Sequence, residues 1–393
     1  MTFDRSTLAA WRQKMRWQPL AVWILFCGLA PVLSLIYLDS IDDPVFSEHR
    51  DFGVFWTGAV LLWQGEVLQL FDPAAFKAAL VTVLGKDFPY LPFPYPPHSL
   101  FILAPLPLAP YLISLALWLA TTLAFLMAVL WRRLAQSWAM ALALILCPAS
   151  AVNMAGGQNG FLSAALLCGG LLFLERRQIL AGILIGCLSY KPQLGLLLPL
   201  LLIAGGYWRA FLTASVTVIL LVLLSAVAFG PEAWLLYLTK SAPYQAEIAQ
   251  HWTGRFQFMS PTYFMAGRLL NLPLPLSWVL QITSSVLAAA GAIWAFRQRV
   301  PHGMKVALAM VAVFLVSPYA LTYDLTIVSA ATLLALSAFA PKWWEYAAIV
   351  IVWLLPAFTL PADMPIGPLL ISILFLVLLR RVVLMRQVNM AVA

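Results

Sequence analysis

Apolar stretches of roughly membrane length recur along the chain, from about residue 18 to residue 385. Of its 393 residues, 63% are hydrophobic and only 10% are charged, and the mean hydropathy is +0.92. A soluble fold cannot bury that share of apolar surface, so most of the chain is expected to lie in lipid. In lipid each segment must satisfy its own backbone hydrogen bonds, which favours a bundle of helices. The sequence therefore predicts an all-α, polytopic integral membrane protein.

About 12 transmembrane helices are predicted, with interfacial or re-entrant helices in the outer loops. The predicted ranges are 18–38, 111–131, 136–152, 160–174, 178–190, 193–206, 211–229, 276–296, 303–318, 323–340, 344–360 and 367–385. The run 97–109 contains Pro105 and Pro107, and we interpret it as re-entrant or interfacial because proline interrupts backbone pairing. If this run spans the membrane instead, the topology of everything after it inverts.

Basic residues indicate which side of this bundle is the cytoplasm. Most of them fall on the side of the N-terminus, close to the ends of predicted helices, whereas most acidic residues fall on the other side. Lys and Arg are enriched in cytoplasmic loops, so both termini are predicted to be cytoplasmic. The net charge of +8 therefore reflects membrane orientation, and no nucleic-acid partner is expected. The inner membrane of a bacterium suits this charge pattern.

Two long segments, 39–96 and 230–275, fall on the non-cytoplasmic face. Both are rich in aromatic residues, as in "FPYLPFPYPPH" and "YQAEIAQHWTGRFQFMSPTYF". Amphipathic aromatic rings prefer the membrane interface, so these outer loops are predicted to be ordered there. The sequence has no internal repeat and no soluble domain, and residues 1–393 are predicted to form a single transmembrane domain.

Asp51 is the most informative polar residue outside the cytoplasmic loops. It opens "DFGVFWTGA", an apolar and aromatic stretch that is expected to lie on or dip into the outer leaflet. An ionisable group beside lipid costs free energy unless it faces a cavity or a partner, so it marks a candidate site. An N-cap is the alternative explanation, because Asp accepts hydrogen bonds from the first turn of a helix. The two explanations are compatible.

Two further polar stretches lie on the same outer face. "YPPH" contains Tyr95 and His98, and its two prolines hold the chain stiff before the run 97–109. "GGQNG" contains Gln158 and Asn159, whose amides offer donors and acceptors to a polyhydroxylated ligand, while its glycines allow close approach of the backbone. A turn and a plain loop are the respective alternatives.

A charged residue interrupts each of two later helical junctions. In "SYKPQ", Pro192 breaks the helix and is expected to hold Lys191 at the outer surface, where a cation suits a lipid phosphate. A snorkelling lysine is the alternative. In "SPYALTYD", Tyr323 and Asp324 lie between two helices, and an unpaired buried Asp324 would be unfavourable. Lys191 and Arg255 are both candidates for its partner.

Several cofactor classes have no signature in this sequence. It contains no HExxH motif, no paired Cys and His ligands and no Asp-x-Asp pair, so no metal site is expected. It also lacks a P-loop and a GxGxxG motif, which argues against a nucleotide-bound donor. No cofactor is therefore predicted.

The order and spacing of these stretches resemble glycosyltransferase family 87. The resemblance covers about residues 45 to 340, in the stretches "DFGVFWTGA", "LFDPAAF", "FPYPPHSLFILAPLPL", "GQNGFLSAALL", "LAGILIGCLSYKPQLGLLLPLLLIAGGYWRAF" and "SPYALTYDL". Members of this family are mannosyltransferase-like membrane proteins. The resemblance implies the C-type glycosyltransferase fold, with an active site that faces away from the cytoplasm and a catalytic acidic residue in the first outer loop.

The family's activity is implied in the same way. Its members take a hexose, typically mannose, from a polyprenyl-phosphate carrier and transfer it with inversion to a hydroxyl of a glycolipid or glycan. By this match Asp51 is the general base, Lys191 contacts the phosphate, and Gln158 and Asn159 contact the sugar. The expected partners are therefore a lipid-linked donor, a glycolipid or glycan acceptor, and membrane lipids.

The chemistry of such a transfer needs few protein groups. One ionised carboxylate within hydrogen-bond reach activates the acceptor hydroxyl. The leaving phosphate has low basicity, so a cation such as Lys191 or Arg255 stabilises it without a general acid or a metal. At Tyr323 and Asp324 the chain departs from the best-studied branch of the family, which has a histidine there.

Two alternatives from other functional classes remain open. A transporter or flippase of a lipid-linked saccharide would use a similar polar cavity, but such proteins are typically built from internal repeats with paired broken helices. No repeat is evident, and the polar groups fall on one face, which favours the enzyme. A non-catalytic assembly partner in an envelope-polymer pathway is the second alternative.

Overall fold

The computed structural model describes residues 50–85, 91–134, 138–359 and 365–392. For residues 50, 133–134, 138–139, 255 and 388–392 it describes the main chain alone. The predicted helix 18–38 lies outside the described residues. The regular structure of the described part is helical throughout, in agreement with an all-α membrane fold.

The α-helices divide into an N-terminal and a C-terminal set. The first set is α1 (Arg50–Trp63), α2 (Pro73–Leu84), α3 (Leu100–Leu103), α4 (Tyr111–Leu134), α5 (Trp138–Ile145), α6 (Pro148–Gly156), α7 (Gly160–Leu172), α8 (Gln178–Cys187), α9 (Pro192–Gly195) and α10 (Leu198–Ala204). The second set is α11 (Trp208–Phe229), α12 (Pro231–Leu236), α13 (Ala242–His251), α14 (Arg255–Phe258), α15 (Tyr263–Leu269), α16 (Leu274–Phe296), α17 (His302–Val316), α18 (Thr326–Ala338), α19 (Trp343–Phe358) and α20 (Gly367–Val392). Shorter 3₁₀ or π turns connect some of them.

Within the described residues, four helices are long and apolar enough to cross a bilayer: α4, α11, α16 and α20. Their apolar parts have 21 to 23 residues. At about 1.5 Å per residue, this length matches a hydrocarbon core of about 30 Å. The other apolar helical stretches that the structure describes have at most 17 residues, so the count of about 12 spans stays a prediction.

Proline divides two helices that the sequence predicted as continuous. The predicted helix 136–152 is wrong in this respect, because α5 ends at Ile145 and α6 begins at Pro148. The predicted helix 193–206 is likewise two short helices, α9 and α10. Proline lacks the backbone N–H that a helix interior requires but fits the first turn of a helix. Pro148 and Pro192 therefore each begin a helix, and Pro199 lies in the first turn of α10.

Helix α17 is the centre of the bundle. Every residue from Gly303 to Leu315 is buried. The helix packs against α7, α16, α18 and α20, which surround it. A helix of 15 residues that is hydrophobic on all sides is typical of a buried core helix and is too short for a simple span.

The described parts of the two outer loops, residues 50–85, 91–96 and 230–275, pack against each other. The first contains α1 and α2, and the second contains α12 to α15. The rings of Phe71 and Tyr237 meet edge to face with centroids 6.0 Å apart. The Ser241 hydroxyl donates to the backbone oxygen of Phe93 at 3.0 Å. This packing brings the two loops together over one end of the bundle.

The run 97–109 is a broken segment, in agreement with its proline content. It consists of the 3₁₀ turn Pro97–Ser99, the four-residue helix α3 and the 3₁₀ turn Leu106–Leu108. Helix α3 packs against α1. The segment therefore supports the outer-loop helix that carries Asp51.

Asp72 connects the two outer loops through a cap and an ion pair. Its carboxylate accepts from the backbone N–H groups of Ala74 and Ala75, both at 3.1 Å, and caps α2. Its second oxygen lies 2.5 Å from Nζ of Lys240. The hydrogen bond from Lys240, with these backbone bonds, lowers the pKa of Asp72 below its ordinary value of 3.8.

We expect the replacement Asp72→Asn to destabilise the protein at neutral pH but not in acid. Because the pKa of Asp72 is lowered in the folded protein, the ionised carboxylate stabilises the fold above pH 3.8. This stabilisation is lost as the pH falls through the lowered pKa. The pair is partly exposed, so the expected effect at neutral pH is about 0.2–1 kcal/mol. Thermal unfolding of both proteins in detergent across this pH range measures it. A constant difference at every pH would contradict the assignment.

Candidate active site

A cavity of about 250 Å³ lies between the outer loops and the end of the bundle. Its wall comes from α1, the stretch 91–95, the loop after α6, helices α13 and α14, and the segment 319–323. Its polar lining consists of Asp51, Tyr95, Gln158, Gln245, Tyr319 and Tyr323. A largely apolar cavity with a few convergent polar groups is typical of a small-molecule site.

Asp51 is half-buried in the first turn of α1 and lines this cavity. The side-chain amide of Gln158 donates a hydrogen bond to its carboxylate. The backbone oxygen of Gln158 in turn accepts from the indole N–H of Trp118 at 3.2 Å. The partial positive charge at a helix N-terminus favours an ionised carboxylate. The carboxylate is thus held in one orientation at the cavity wall.

Glycine allows the loop after α6 to reach Asp51. Gly157 ends α6 in the left-handed conformation with φ 63°. A Cβ atom at Gly157 would lie 2.6 Å from Cβ of Phe52, which is shorter than any real contact. A side chain at Gly157 would therefore separate Gln158 from Asp51. This agrees with the prediction that the glycines of "GGQNG" allow close approach of the backbone.

Lys191 and Asp324 form a buried ion pair behind the cavity. Nζ of Lys191 lies 2.6 Å from Oδ1 of Asp324, so Lys191 is the partner of this carboxylate. The expectation of a surface-exposed Lys191 is wrong, since the residue is only 2% exposed. Its ammonium group also lies 4.5 Å from the ring centroid of Tyr323, which lines the cavity. The pair fixes the segment that carries Tyr323.

Asn153 joins the loop after α6 to the same segment. Its amide Nδ2 donates to the backbone oxygen of Tyr323 at 2.9 Å and to the Thr326 hydroxyl at 2.7 Å. Its Oδ1 accepts from the backbone N–H of Gly160 at 2.7 Å. Asn153 is fully buried, so two walls of the cavity are fixed to each other by one side chain.

We expect Gly160→Ala to destabilise the protein because a Cβ atom there would collide with the backbone oxygen of Tyr323 and with Asn153. Such overpacking typically costs about 1–3 kcal/mol. Gly195→Ala is the matched control, because nothing lies within 4 Å of a Cβ atom at that position. Thermal unfolding in detergent compares the two. Equal melting temperatures would contradict the close contact at Gly160.

Tyr95 and Asn159 meet where the first outer loop reaches α7. The amide Nδ2 of Asn159 donates to the Tyr95 hydroxyl at 2.7 Å. Nearby, the hydroxyls of Tyr190 and Ser163 are hydrogen-bonded at 2.6 Å. Tyr95 lines the cavity, whereas Asn159 lies one layer deeper.

A family model for glycosyltransferase family 87 matches residues 93–318, which is more than half of the chain. The chain belongs to glycosyltransferase family 87. Neither a curated protein nor a solved structure gave a significant match. Membership of this family, together with the apolar helices, identifies a membrane glycosyltransferase that uses a sugar donor and an acceptor.

The matched part of this family 87 glycosyltransferase holds only some of the candidate residues. The candidates inside it are Tyr95, His98, Gln158, Asn159, Lys191 and Arg255. Asp51 lies before the match, and Tyr323 and Asp324 follow it. The structure brings these residues together nonetheless, since Gln158 bonds to Asp51 and Lys191 pairs with Asp324.

The last two candidates differ from the others. His98 does not line the cavity; it is buried, stacks on Trp234 with centroids 5.7 Å apart, and pairs with the Ser189 hydroxyl at 3.0 Å. The turn interpretation of "YPPH" therefore fits His98. The side chain of Arg255 lies outside the described residues. Its main chain begins α14, and the next residue, Phe256, lines the cavity.

The sequence did not single out Gln245, Trp252 or Phe256, which line the cavity of the family 87 glycosyltransferase. The amide nitrogen of Gln245 is buried without a hydrogen-bond partner in the described part of the chain. The aromatic rings form a connected wall, with centroids of Phe256 and Tyr319 5.8 Å apart. The aromatic richness of segment 230–275 was the available signal, but it did not identify individual residues.

Among the described residues, no group of three His, Cys, Asp or Glu side chains could hold a metal ion. What the site offers here is a carboxylate, amides, phenols and aromatic faces. This set suits recognition of a sugar.

Proposed function

We propose that this family 87 member is a hexosyltransferase that uses a polyprenyl-phosphate sugar, with mannose as the first candidate. The acceptor is a hydroxyl of a glycolipid or glycan, and the fold is of the C-type glycosyltransferase class. The observation that supports this most is the Asp51 carboxylate, half-buried at the cavity wall and oriented by Gln158. The family match supplies the glycosyltransferase class.

Asp51 acts as the general base in this proposal. It accepts the proton of the acceptor hydroxyl as the oxygen of that hydroxyl bonds to the anomeric carbon. The bond between the anomeric carbon and the phosphate oxygen breaks, and the electron pair leaves with the polyprenyl phosphate. Attack from the side opposite the leaving group inverts the configuration at the anomeric carbon. No second carboxylate is required.

Stabilisation of the leaving phosphate is assigned to Arg255. This residue precedes the cavity-lining Phe256, and a guanidinium group binds phosphate through several donors. The charge of Lys191 is already paired with Asp324, so we assign Lys191 a positioning role through Tyr323. Gln158 and Asn159 are proposed as sugar contacts, with Tyr95 and Tyr323 at the cavity wall.

The membrane orientation completes the proposal. The charge distribution of the sequence supports cytoplasmic termini and outer loops on the opposite face. In a bacterium the proposed position of the cavity is the periplasmic face, at the outer leaflet of the inner membrane. A lipid-linked donor reaches such a cavity with its chain still in the bilayer.

Reconstituted protein separates the enzyme from a transporter. Liposomes containing the protein receive polyprenyl-phosphate mannose with a radiolabelled sugar, together with a glycolipid extract as the acceptor. We expect the label to enter a new glycolipid as polyprenyl phosphate is released, which thin-layer chromatography and mass spectrometry detect. Movement of chemically unchanged label across the membrane would overturn the proposal in favour of a flippase.

A further inference from the structure

We infer that the hydrocarbon chain of the donor lipid leaves the Asp51 cavity sideways, through a narrow neck, into an apolar groove beside α4. This inference rests on the proposed function, because it takes the donor to be a lipid-linked sugar. Beyond the proposed function, the inference assigns a specific binding site to the hydrocarbon chain of the donor.

The cavity, the neck and the groove are consecutive. The neck is a void of about 10 Å³ that shares Phe55 and Tyr95 with the cavity. The groove has a volume of about 580 Å³ and shares Ile102, Trp118 and Leu162 with the neck. One set of side chains therefore separates each compartment from the next, and the three compartments lie in order between Asp51 and the surface of α4.

The chemistry of the groove suits a hydrocarbon chain. It lies between the segment 97–109 and α4, one of the helices long enough to cross the membrane. Leu108 and Leu117 on its border are 70% and 54% exposed, so the groove opens towards the region occupied by lipid. The hydroxyls of Thr121 and Thr122 donate to carbonyl oxygens of their own helix. The groove thus presents no unpaired hydroxyl from these threonines.

The neck differs from the groove because it contains two unsatisfied polar atoms. Oγ of Ser99 and Oδ1 of Asn159 are buried without a hydrogen-bond partner among the described residues. Each residue is only 2% exposed and lines the neck. A hydrocarbon chain alone would leave both atoms unsatisfied, at a cost in free energy. A phosphate oxygen can accept from Ser99, and a sugar hydroxyl can donate to Asn159.

From these two atoms we place the junction between the sugar-phosphate head group and the hydrocarbon chain of the donor at the neck. The sugar then lies in the cavity with Asp51, and the chain lies in the groove. The phosphate lies at the boundary between them, with one oxygen bound to Ser99 and the others facing the cavity, where Arg255 is proposed to bind. The neck has room for about one water molecule, so Phe55 and Ile102 must change rotamer when the lipid enters.

A second apolar groove provides an internal comparison. It has a volume of about 560 Å³ and lies against α8, α10 and α11. It shares no lining residue with the cavity or the neck. A lipid chain in this second groove would have no direct path to Asp51, which favours the groove beside α4.

The test uses the full chain in membrane vesicles and an isoprenyl phosphate with a photoreactive diazirine at the end of its hydrocarbon chain. Peptide mass spectrometry maps the crosslinks. We expect them in residues 102–125 and at Leu162, which line the groove. Thr121→Trp, which fills the groove from an exposed position, should reduce labelling by about tenfold or more, because it displaces several buried methylene groups.

Two matched variants control for the added indole ring. Ala120→Trp changes an exposed neighbour on the same helix outside the groove, and Ile219→Trp fills the second groove. Both should keep wild-type labelling.

Ser99→Ala should reduce labelling several-fold without lowering the melting temperature, because this hydroxyl bonds to no described residue. A purely structural Ser99 would leave the labelling unchanged.

The outcomes separate this inference from the proposed function. Asp51-dependent transfer with crosslinks elsewhere than residues 102–125 and Leu162, or with loss of labelling only in Ile219→Trp, overturns the lipid path and leaves the enzyme intact. Crosslinks in the groove, without sugar transfer by the wild-type protein, overturn the enzyme instead.

Discussion

Replacement of Asp51 by Asn is expected to lower the rate of sugar transfer by about 10²–10⁴-fold, the usual contribution of a general base. Asn cannot take up the proton of the acceptor hydroxyl. It keeps a side-chain oxygen that can accept the hydrogen bond from Gln158, so the loop after α6 stays in place. Initial rates with polyprenyl-phosphate mannose measure the loss, and photolabelling with the isoprenyl phosphate checks that lipid binding is retained.

The same chemical change elsewhere in the first outer loop is the control. Asp72→Asn also removes one carboxylate, but Asp72 lies outside the cavity and caps α2. We expect this variant to transfer sugar at nearly the wild-type rate. An Asp51→Asn protein that transfers as fast as Asp72→Asn would show that Asp51 is not the base.

Replacement of Lys191 by Met is expected to destabilise the folded protein by about 3–5 kcal/mol, because it leaves a buried carboxylate without its counter-ion. Asp324 is 1% exposed, and its nearest cation is the Lys191 ammonium group at 2.6 Å. The uncompensated Asp324 carboxylate would also disturb the segment that carries Tyr323 at the cavity wall. Thermal or chemical unfolding in detergent measures the change.

The double variant Lys191→Met with Asp324→Leu distinguishes a positioning role of Lys191 from direct binding of the phosphate. Removing both charges leaves no unpaired ion, so most of the stability lost in the single variant should return. If Lys191 only positions Tyr323, the double variant should bind the isoprenyl phosphate nearly as well as the wild type. A stable double variant that has lost this binding would instead make Lys191 a phosphate contact.

The long helices of the fold could be predicted from hydropathy alone. The prediction 276–296 lies close to the observed helix Leu274–Phe296, because a run of this length in lipid has few alternatives to a helix. The prediction failed where proline begins a new helix, as at Pro148. Hydropathy does not change there, so the pattern indicated one helix from 136 to 152 where the structure has two.

The site could be predicted in part, because polar residues are conspicuous in an apolar chain. Asp51, Gln158, Lys191 and Asp324 were all chosen on that ground. The pair of Lys191 with Asp324 was one of two alternatives that the sequence left open. The pair of Asp51 with Gln158 could not be predicted, since the two residues are 107 positions apart and only tertiary packing brings them together. Asn153 was missed because one amide within an apolar helix resembles an ordinary helical residue.

A cryo-electron microscopy structure with a non-transferable phosphonate analogue of the donor and a bound acceptor tests the central claim most directly. We expect the anomeric carbon in the cavity of about 250 Å³ and the acceptor hydroxyl about 2.6–3.2 Å from the Asp51 carboxylate. A complex with the reacting atoms in another cavity, or with Asp51 separated from the acceptor by protein, would contradict the role of this carboxylate.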